Sequence, residues 1–240
     1  MIFCCKQNGG FYKWFRDYNK YCIKPCFNKF KKNLGLWVIQ KELYIIRHGQ
    51  TDHNAKGIVQ GKGVNLSLNE TGRMQAQKFF EAYKHIPFDK LYASSLSRAQ
   101  ETIESFNELG IPLEIRNELD EISWGEMEGI VSTLESDDSF KNMLAEWKAG
   151  NIHAKYPEGE SPFELQQRQL QFINYLRDTP EEKILIATHG RFIRAFMCTL
   201  SKRPLTEMET FNHQNLCLYK VNYLVDNSFH IELHCDTSHL

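Results

Sequence analysis

The chain has 240 residues, 42% of them hydrophobic and 25% charged, which are the proportions of an ordinary globular protein and exclude a disordered, collagenous or membrane-embedded one. Its net charge of -1 hides an uneven distribution: residues 1 to 41 carry nine Lys and Arg against one acid, Asp17, whereas residues 42 to 240 carry 20 against 29 acids. An acidic body lacks the clustered cations of a nucleic-acid surface and points to small-molecule partners.

Residues 1 to 41 mix aromatics, cysteines and lysines, without the apolar core and small-residue cleavage site of a secretory signal. Three readings stay open for this segment: a disordered or loosely helical extension, a basic segment that adheres to a surface or membrane, and an over-long gene model. The next methionine is Met74, inside a needed element, so a shorter protein would start at a non-Met codon near Val38. Cys4, Cys5, Cys22 and Cys26 do not have the spacing of a zinc finger. The expected division is a basic extension over 1 to 41 and one domain over 42 to 240.

From Glu42 the pattern changes to short apolar runs alternating with segments of helical period, the signature of βαβ units. Leu43 to Ile46 reads as a strand, nearly all apolar, as buried parallel strands are. A helix follows from Asn69 through Phe80, then a strand over Lys90 to Ala93 and a helix over Ser97 to Leu109, with Ser97 as its expected N-cap. Residues 123 to 162 are rich in Gly, Ser, Asp and Pro around a helical stretch from Phe140 to Lys148, which reads as an insertion covering one end of the sheet. A helix over Phe163 to Leu176, a strand over Lys183 to Ala187, a helix over Phe192 to Leu200 and a strand over Leu216 to Tyr223 complete the pattern.

No apolar run reaches membrane-spanning length, so no integral membrane segment is expected. Seven cysteines form no legible disulfide framework. Cys198 and Cys217 lie among Phe, Met, Leu and Tyr, the setting of buried reduced thiols, so a cytoplasmic location is expected. His234, Cys235, Asp236 and His239 read as tail residues rather than metal ligands.

Two strand-like runs end alike, in Arg47-His48-Gly49 and in Thr188-His189-Gly190. Each delivers a histidine to a strand's C-terminal end, the edge where ligands bind in open α/β sheets, and the glycine lets the backbone turn and approach a substrate. A third run leads to Arg98 in the first turn of a helix that starts at the same edge. Two arginines and two histidines make a cationic pocket suited to a dianionic phosphoryl group, which arginine grips bidentately. Gly57 to Gly63 is too short for a phosphate-cradling P-loop, and no Ser or Thr follows Lys62.

Four segments resemble the signatures of the histidine phosphatase superfamily, also called phosphoglycerate mutase-like proteins, in that family's order: Arg47-His48-Gly49-Gln50-Thr51-Asp52-His53-Asn54, Ser95-Leu96-Ser97-Arg98-Ala99-Gln100-Glu101-Thr102, Leu119-Asp120-Glu121-Ile122-Ser123-Trp124-Gly125-Glu126-Met127-Glu128-Gly129 and Thr188-His189-Gly190. The resemblance spans residues 43 to about 223. One departure is Asn65-Leu66-Ser67-Leu68-Asn69, where many members have Asp, a variable residue and Pro-Leu-Thr; it bears on how that loop meets substrate.

The resemblance implies a three-layer α/β/α sandwich with a mostly parallel sheet. It further implies that neutral His48 attacks phosphorus, and that the phosphohistidine formed is later hydrolysed by water. The unperturbed imidazole pKa of about 6.5 keeps such a nucleophile available near neutrality. Arg47, Arg98 and His189 would hold the phosphoryl oxygens. Glu121 would be the general acid, selected by the family's register over Asp120, Glu126 and Glu128, with Trp124 contributing to its burial. Asn54, Gln60, Gly61 and Gly190 would line the substrate, and no cofactor or metal is called for.

Within the family the fork is hydrolysis against phosphoglycerate mutation. Here 68 positions separate Glu121 from His189, where cofactor-dependent mutases typically carry a longer insertion with paired basic residues. The segment holds only dispersed Lys141, Lys148, Lys155, Arg168, Arg177 and Lys183. A metal-independent phosphomonoesterase acting on a small phosphorylated metabolite is therefore the favoured reading, with a mutase and a non-catalytic phosphate-ligand or protein-binding module as alternatives. Sugar phosphates, a ribazole phosphate and phosphoglycerates all suit the site, and the oligomeric state is left open.

Overall fold

The computed structural model describes residues 38–130 and 138–240; residues 1–37 of the expected basic extension, with its four cysteines, lie outside these residues. Six strands form one sheet: β1 (Ile39–Arg47), β2 (Lys90–Ala93), β3 (Leu113–Ile115), β4 (Lys183–Thr188), β5 (Leu218–Leu224) and β6 (Phe229–Asp236). Their spatial order is β3-β2-β4-β1-β5-β6. The pairs β1 with β4, β2 with β4 and β2 with β3 are parallel, and β5 with β6 is antiparallel. The helices are α1 (Asp52–Ala55), α2 (Glu70–Tyr83), α3 (Ser97–Glu108), α4 (Asp138–Lys148), α5 (Pro162–Asp178) and α6 (Gly190–Ser201).

Side chains of a strand alternate between faces, and the central strands are apolar on both. Leu43, Ile45, Ile184 and Ile186 pack in one core with Phe172 and Ile173 of α5 and Phe192 and Phe196 of α6. Tyr44, Ile46, Leu185 and Ala187 point the other way, into a core with Phe79 of α2 and Phe106 of α3. Two apolar faces, each covered by helices, make the three-layer α/β/α sandwich with its mostly parallel sheet.

β1 begins at Ile39 and includes Lys41, whose buried ammonium donates to the carbonyl oxygens of Thr179 and Glu181 at 2.5 and 2.8 Å. Strands β3 and β6 have no counterpart in the sequence reading. β3 has only three residues. β6 does alternate, with Phe229, Ile231, Leu233 and Cys235 between polar neighbours, the period expected of a half-exposed edge strand.

The expected N-cap at Ser97 is incorrect. The cap position of α3 is Leu96, and the Ser97 amide donates instead to Asn65 Oδ1 at 2.8 Å. Asn69 caps α2 by accepting from the Gly72 amide at 2.9 Å. The loop that departs from the family pattern thus uses its two asparagines to fasten two helices. Ser161 and Glu164 form a capping box at the start of α5, with Pro162 in the first turn. His239 Nε2 lies 2.9 Å from the Leu216 carbonyl oxygen, and its ring packs edge-on to Phe79. No helix among the described residues is long and apolar enough to cross a membrane.

Candidate active site

The register of β1 on β4 aligns Arg47 with Thr188, so the next residues, His48 and His189, leave adjacent strands side by side. Their ring centroids are 5.1 Å apart and both rings are buried. His48 Nδ1 lies 2.7 Å from the carbonyl oxygen of Gly49. A carbonyl only accepts, so Nδ1 carries the proton and Nε2 keeps its lone pair. Burial, then the guanidinium groups of Arg98 and Arg47, push this ring well below the usual histidine range. The ring, expected near 6.5, is thus held neutral into more acidic solution.

Both arginines are anchored by carbonyl groups. Arg47 Nη1 donates to the His213 carbonyl oxygen at 2.7 Å, and Arg98 donates from Nη1 to Val64 at 2.6 Å and from Nη2 to Gly61 at 3.2 Å. Burial lowers Arg98 to about 10, which leaves it cationic at neutral pH. In each arginine Nε is buried without a partner, and so is His189 Nδ1. Buried donors are rarely left unpaired; the two Nε–H groups beside His48 fit an anionic oxygen-rich ligand. The segment set aside as a P-loop presents the Gly61 carbonyl to Arg98.

The acidic segment divides its carboxylates among different neighbours. Glu121 is buried and caps α6 from outside that helix: Oε2 accepts from the Arg191 amide at 3.0 Å, Oε1 from the Phe192 amide at 2.9 Å and the Ile122 amide at 3.0 Å. Asp120 turns to the β2 edge and binds Ser94 and Ser95. Glu128 accepts from the Trp124 amide at 2.8 Å, and Glu126 is exposed. Both Glu121 and Glu128 interact favourably with Arg98. Trp124 stacks on Trp147 at 5.7 Å, and the contacts that hold the Glu121 carboxylate are backbone N–H groups.

Asn54 and Gln60 converge on Thr51. Asn54 Oδ1 accepts from the Thr51 amide and from Asn215 Nδ2, each at 3.2 Å, while Gln60 Nε2 donates to Thr51 Oγ1 at 2.6 Å. A Cβ on Gly61 would lie 2.1 Å from Glu128 Oε1 and 2.8 Å from the Ile122 carbonyl oxygen. At Gly190 it would meet the His213 ring at 3.2 Å and Arg47 Nε at 3.4 Å. The glycine after the first histidine answers to packing rather than to substrate: a Cβ on Gly49 would sit 2.7 Å from the Gly72 carbonyl oxygen of α2.

Several groups at the site had no motif to reveal them. His213 braces Arg47, and Asn215 donates to the His48 carbonyl oxygen at 2.9 Å. Ser94 Oγ lies 2.7 Å from His189 Nε2. Arg191 is buried at the start of α6, pairs with Glu209 together with Arg194, and lies over the Trp124 ring. Of the dispersed cations, Arg168 pairs with Glu160 and donates to the Glu118 and Glu121 carbonyls, Lys155 pairs with Glu164, and Lys183 with Glu42.

The model of the histidine phosphatase superfamily (branch 1) matches residues 43–237. A Bacillus subtilis protein named "Uncharacterized phosphatase PhoE" is 29% identical over 198 residues, which cover 82% of this chain and 95% of that one. A Shigella dysenteriae protein named "Probable phosphoglycerate mutase GpmB" is 26% identical over 207 residues, covering 83% and 94%. Among solved structures, the α-ribazole phosphatase from Shigella flexneri has a TM-score of 0.70 at 25% identity, covering 81% of this chain and 96% of that one.

Proposed function

The chain belongs to the histidine phosphatase superfamily, and from that membership we propose that it is a metal-independent phosphomonoesterase of small phosphorylated metabolites, of the histidine acid type, working through a phosphohistidine on His48. The observation that carries this reading is the set of buried, unpartnered nitrogens on Arg47, Arg98 and His189 around an imidazole whose Nε2 is free. In the proposed first step the Nε2 lone pair of His48 bonds to phosphorus while the bond to the leaving oxygen breaks. Arg47, Arg98 and His189 hold the three remaining oxygens, supplying the positioning and charge stabilisation on which phosphoryl transfer depends. Glu121 gives its proton to the departing oxygen. In the second step water attacks the phosphohistidine, Glu121 takes the water's proton, and inorganic phosphate leaves with His48 restored.

Hydrolysis is favoured over mutation by the fate of the insertion's basic groups. A mutase must retain a highly charged intermediate while it reorients, and Lys155, Arg168 and Lys183 are already paired with carboxylates. The buried free thiols of Cys198 and Cys217 support a reducing, cytoplasmic setting. A screen of phosphomonoesters in the presence of a chelator tests the reading, with phosphate release expected. Label from a phosphorylated substrate should be trapped on the protein and lost in His48→Ala; an active enzyme that never takes up label would overturn the covalent step. An interconversion of phosphoglycerates faster than phosphate release would favour the mutase, and absence of any turnover a binding module.

A further inference from the structure

We propose that Asp120 is a positioning residue which, through the hydroxyl of Ser94, fixes the His189 ring with Nε2 as its donor and Nδ1 as the nitrogen that engages the phosphoryl group. The inference rests on the phosphatase reading above and adds a residue to it. Asp120 is buried, and its Oδ1 lies 2.8 Å from Ser94 Oγ, 2.8 Å from the Ser95 amide and 2.9 Å from Ser95 Oγ; Oδ2 lies 3.0 Å from Ser95 Oγ and 3.7 Å from the Lys62 ammonium. Ser94 Oγ in turn accepts from the Leu96 amide at 3.1 Å and lies 2.7 Å from His189 Nε2.

A hydroxyl has one proton and two lone pairs. The carboxylate cannot donate, so the Ser94 proton goes to Asp120. One lone pair takes the Leu96 N–H, and the other is left for an N–H on His189 Nε2. The neutral ring is thereby the Nε2–H tautomer, with a bare lone pair on the buried and unpartnered Nδ1. A phosphoryl oxygen of the dianion also only accepts, so the bond between it and Nδ1 requires a second proton on the ring. A substrate monoanion carries that proton in, since the second pKa of a phosphomonoester is about 6. The P–OH proton moves to Nδ1, leaving a dianion and an imidazolium whose Nε2–H is bonded, through Ser94, to a carboxylate.

Charged or titratable groups acting on His189 include Arg98 on α3, Arg47 and His48 at the end of β1, and Arg168 on α5, while the Glu121 carboxylate sits on the Arg191 and Phe192 amides that follow it. Three of these are permanent cations that oppose the imidazolium, and Asp120 is the carboxylate wired to the ring against them. An Asp120→Asn variant keeps an acceptor for Ser94 and removes the charge. Ser94→Ala removes the wire and keeps the bonds of Asp120 to Ser95.

The test is the pH dependence of kcat, which reports ionisations of the enzyme–substrate complex, and the pH titration of the His189 ring with inorganic phosphate bound, measured with each variant's thermal melt. The basic limb of the kcat profile and the midpoint of the ring titration should move to lower pH by about one unit in Asp120→Asn and in Ser94→Ala. Near pH 5.5 each variant then works close to wild type, and near pH 8 it is about tenfold slower. A loss that is equal at all pH values would mean a purely structural role and overturn the inference. In the free protein, ¹⁵N shifts of His189 should report the Nε2–H tautomer, and Ser94→Ala should shift the ring toward a mixture; an Nδ1–H ring in the wild type would overturn it as well. These NMR and phosphate-binding readouts need no turnover. A wild type that hydrolyses nothing therefore defeats the phosphatase reading without deciding the role of Asp120, which the tautomer and phosphate titration then decide alone.

Discussion

Arg47 Nη1 lies 2.7 Å from the carbonyl oxygen of His213 and 3.3 Å from that residue's Nδ1. The guanidinium can only donate, so Nδ1 of His213 must be the acceptor and the ring must be neutral. Burial, reinforced by Arg47, Arg194 and Arg191, lowers its pKa to about 2. His213→Ala removes a side-chain brace from Arg47. Since hydrogen bonds to charged groups contribute about 1.5–3 kcal/mol, kcat/KM for an aryl phosphate should drop by roughly one to two orders of magnitude. Steady-state kinetics near wild type would show that Arg47 is positioned without it.

In the proposed mechanism His48 governs how activity responds to acid. Its pKa is pushed down by burial, Arg98 and Arg47, so the ring stays unprotonated in the free protein below the usual histidine range. The profile of kcat/KM, with the substrate's own ionisation divided out, should show no loss from pH 7 to 5.5. An acid limb centred near 6.5 that disappears in no other variant of the site would contradict this.

The same rings link stability to pH. His48, His189 and His213 all have folded pKa values below that of the unfolded chain. Between the two values the unfolded state binds more protons, so stability is fully present above about pH 6.5 and is lost as pH falls. Each ring contributes at most about 1.4 kcal/mol per pH unit. Urea midpoints recorded from pH 7.5 to 5 should decline, and His213→Gln should decline less steeply than wild type. Parallel slopes would count against a neutral buried His213.

Glu121→Gln separates leaving groups. A general acid contributes about 10²–10⁴-fold where the departing oxygen is basic, so an alkyl phosphate should be slowed by that order and p-nitrophenyl phosphate far less. The variant also disturbs the cap on α6, since the amide has one acceptor oxygen for three backbone donors, and should be less stable by about 1 kcal/mol. Equal slowing of both substrates would remove Glu121 from the role.

Gly61→Ala tests a close approach. The added Cβ would lie 2.8 Å from the Ile122 carbonyl oxygen, which is backbone and cannot rotate away. Overpacking of this kind costs about 1–3 kcal/mol, and here it moves the carbonyl that Arg98 binds. Both the melting temperature and the affinity for phosphate should fall; an unchanged phosphate affinity would show that Arg98 holds its place independently of Gly61.

What was legible in the sequence is what one strand and its next residues decide. An apolar run followed by His and Gly placed His48 and His189 at one sheet edge, and the run before Arg98 did the same, because burial pattern and chain direction are local. Ser94 drew no role, and Asp120 only that of a competitor to Glu121, for the opposite reason. Ser94 reads as one of several serines near a helix start and Asp120 as one of several acids; only the packing of the 117–121 turn against β2 makes them a pair. The assignment of Ser97 as a cap failed because the competing acceptor, Asn65, lies in a distant loop. The alternation in β6 was visible, but its polar face resembled a tail.

The parallel pairing of β1 with β4 has one more consequence, for how the molecule is made. Arg47 ends the first strand with His48 next after it, His189 follows the fourth, and in the proposed phosphatase neither half of the chain carries the whole anion grip. Strand pairings between remote stretches form late and slowly, so an intermediate lacking the β1–β4 ladder has no competent centre. Phosphate protection during refolding would therefore appear only as the last central ladder closes, which makes the ligand a clock for the completion of the sheet.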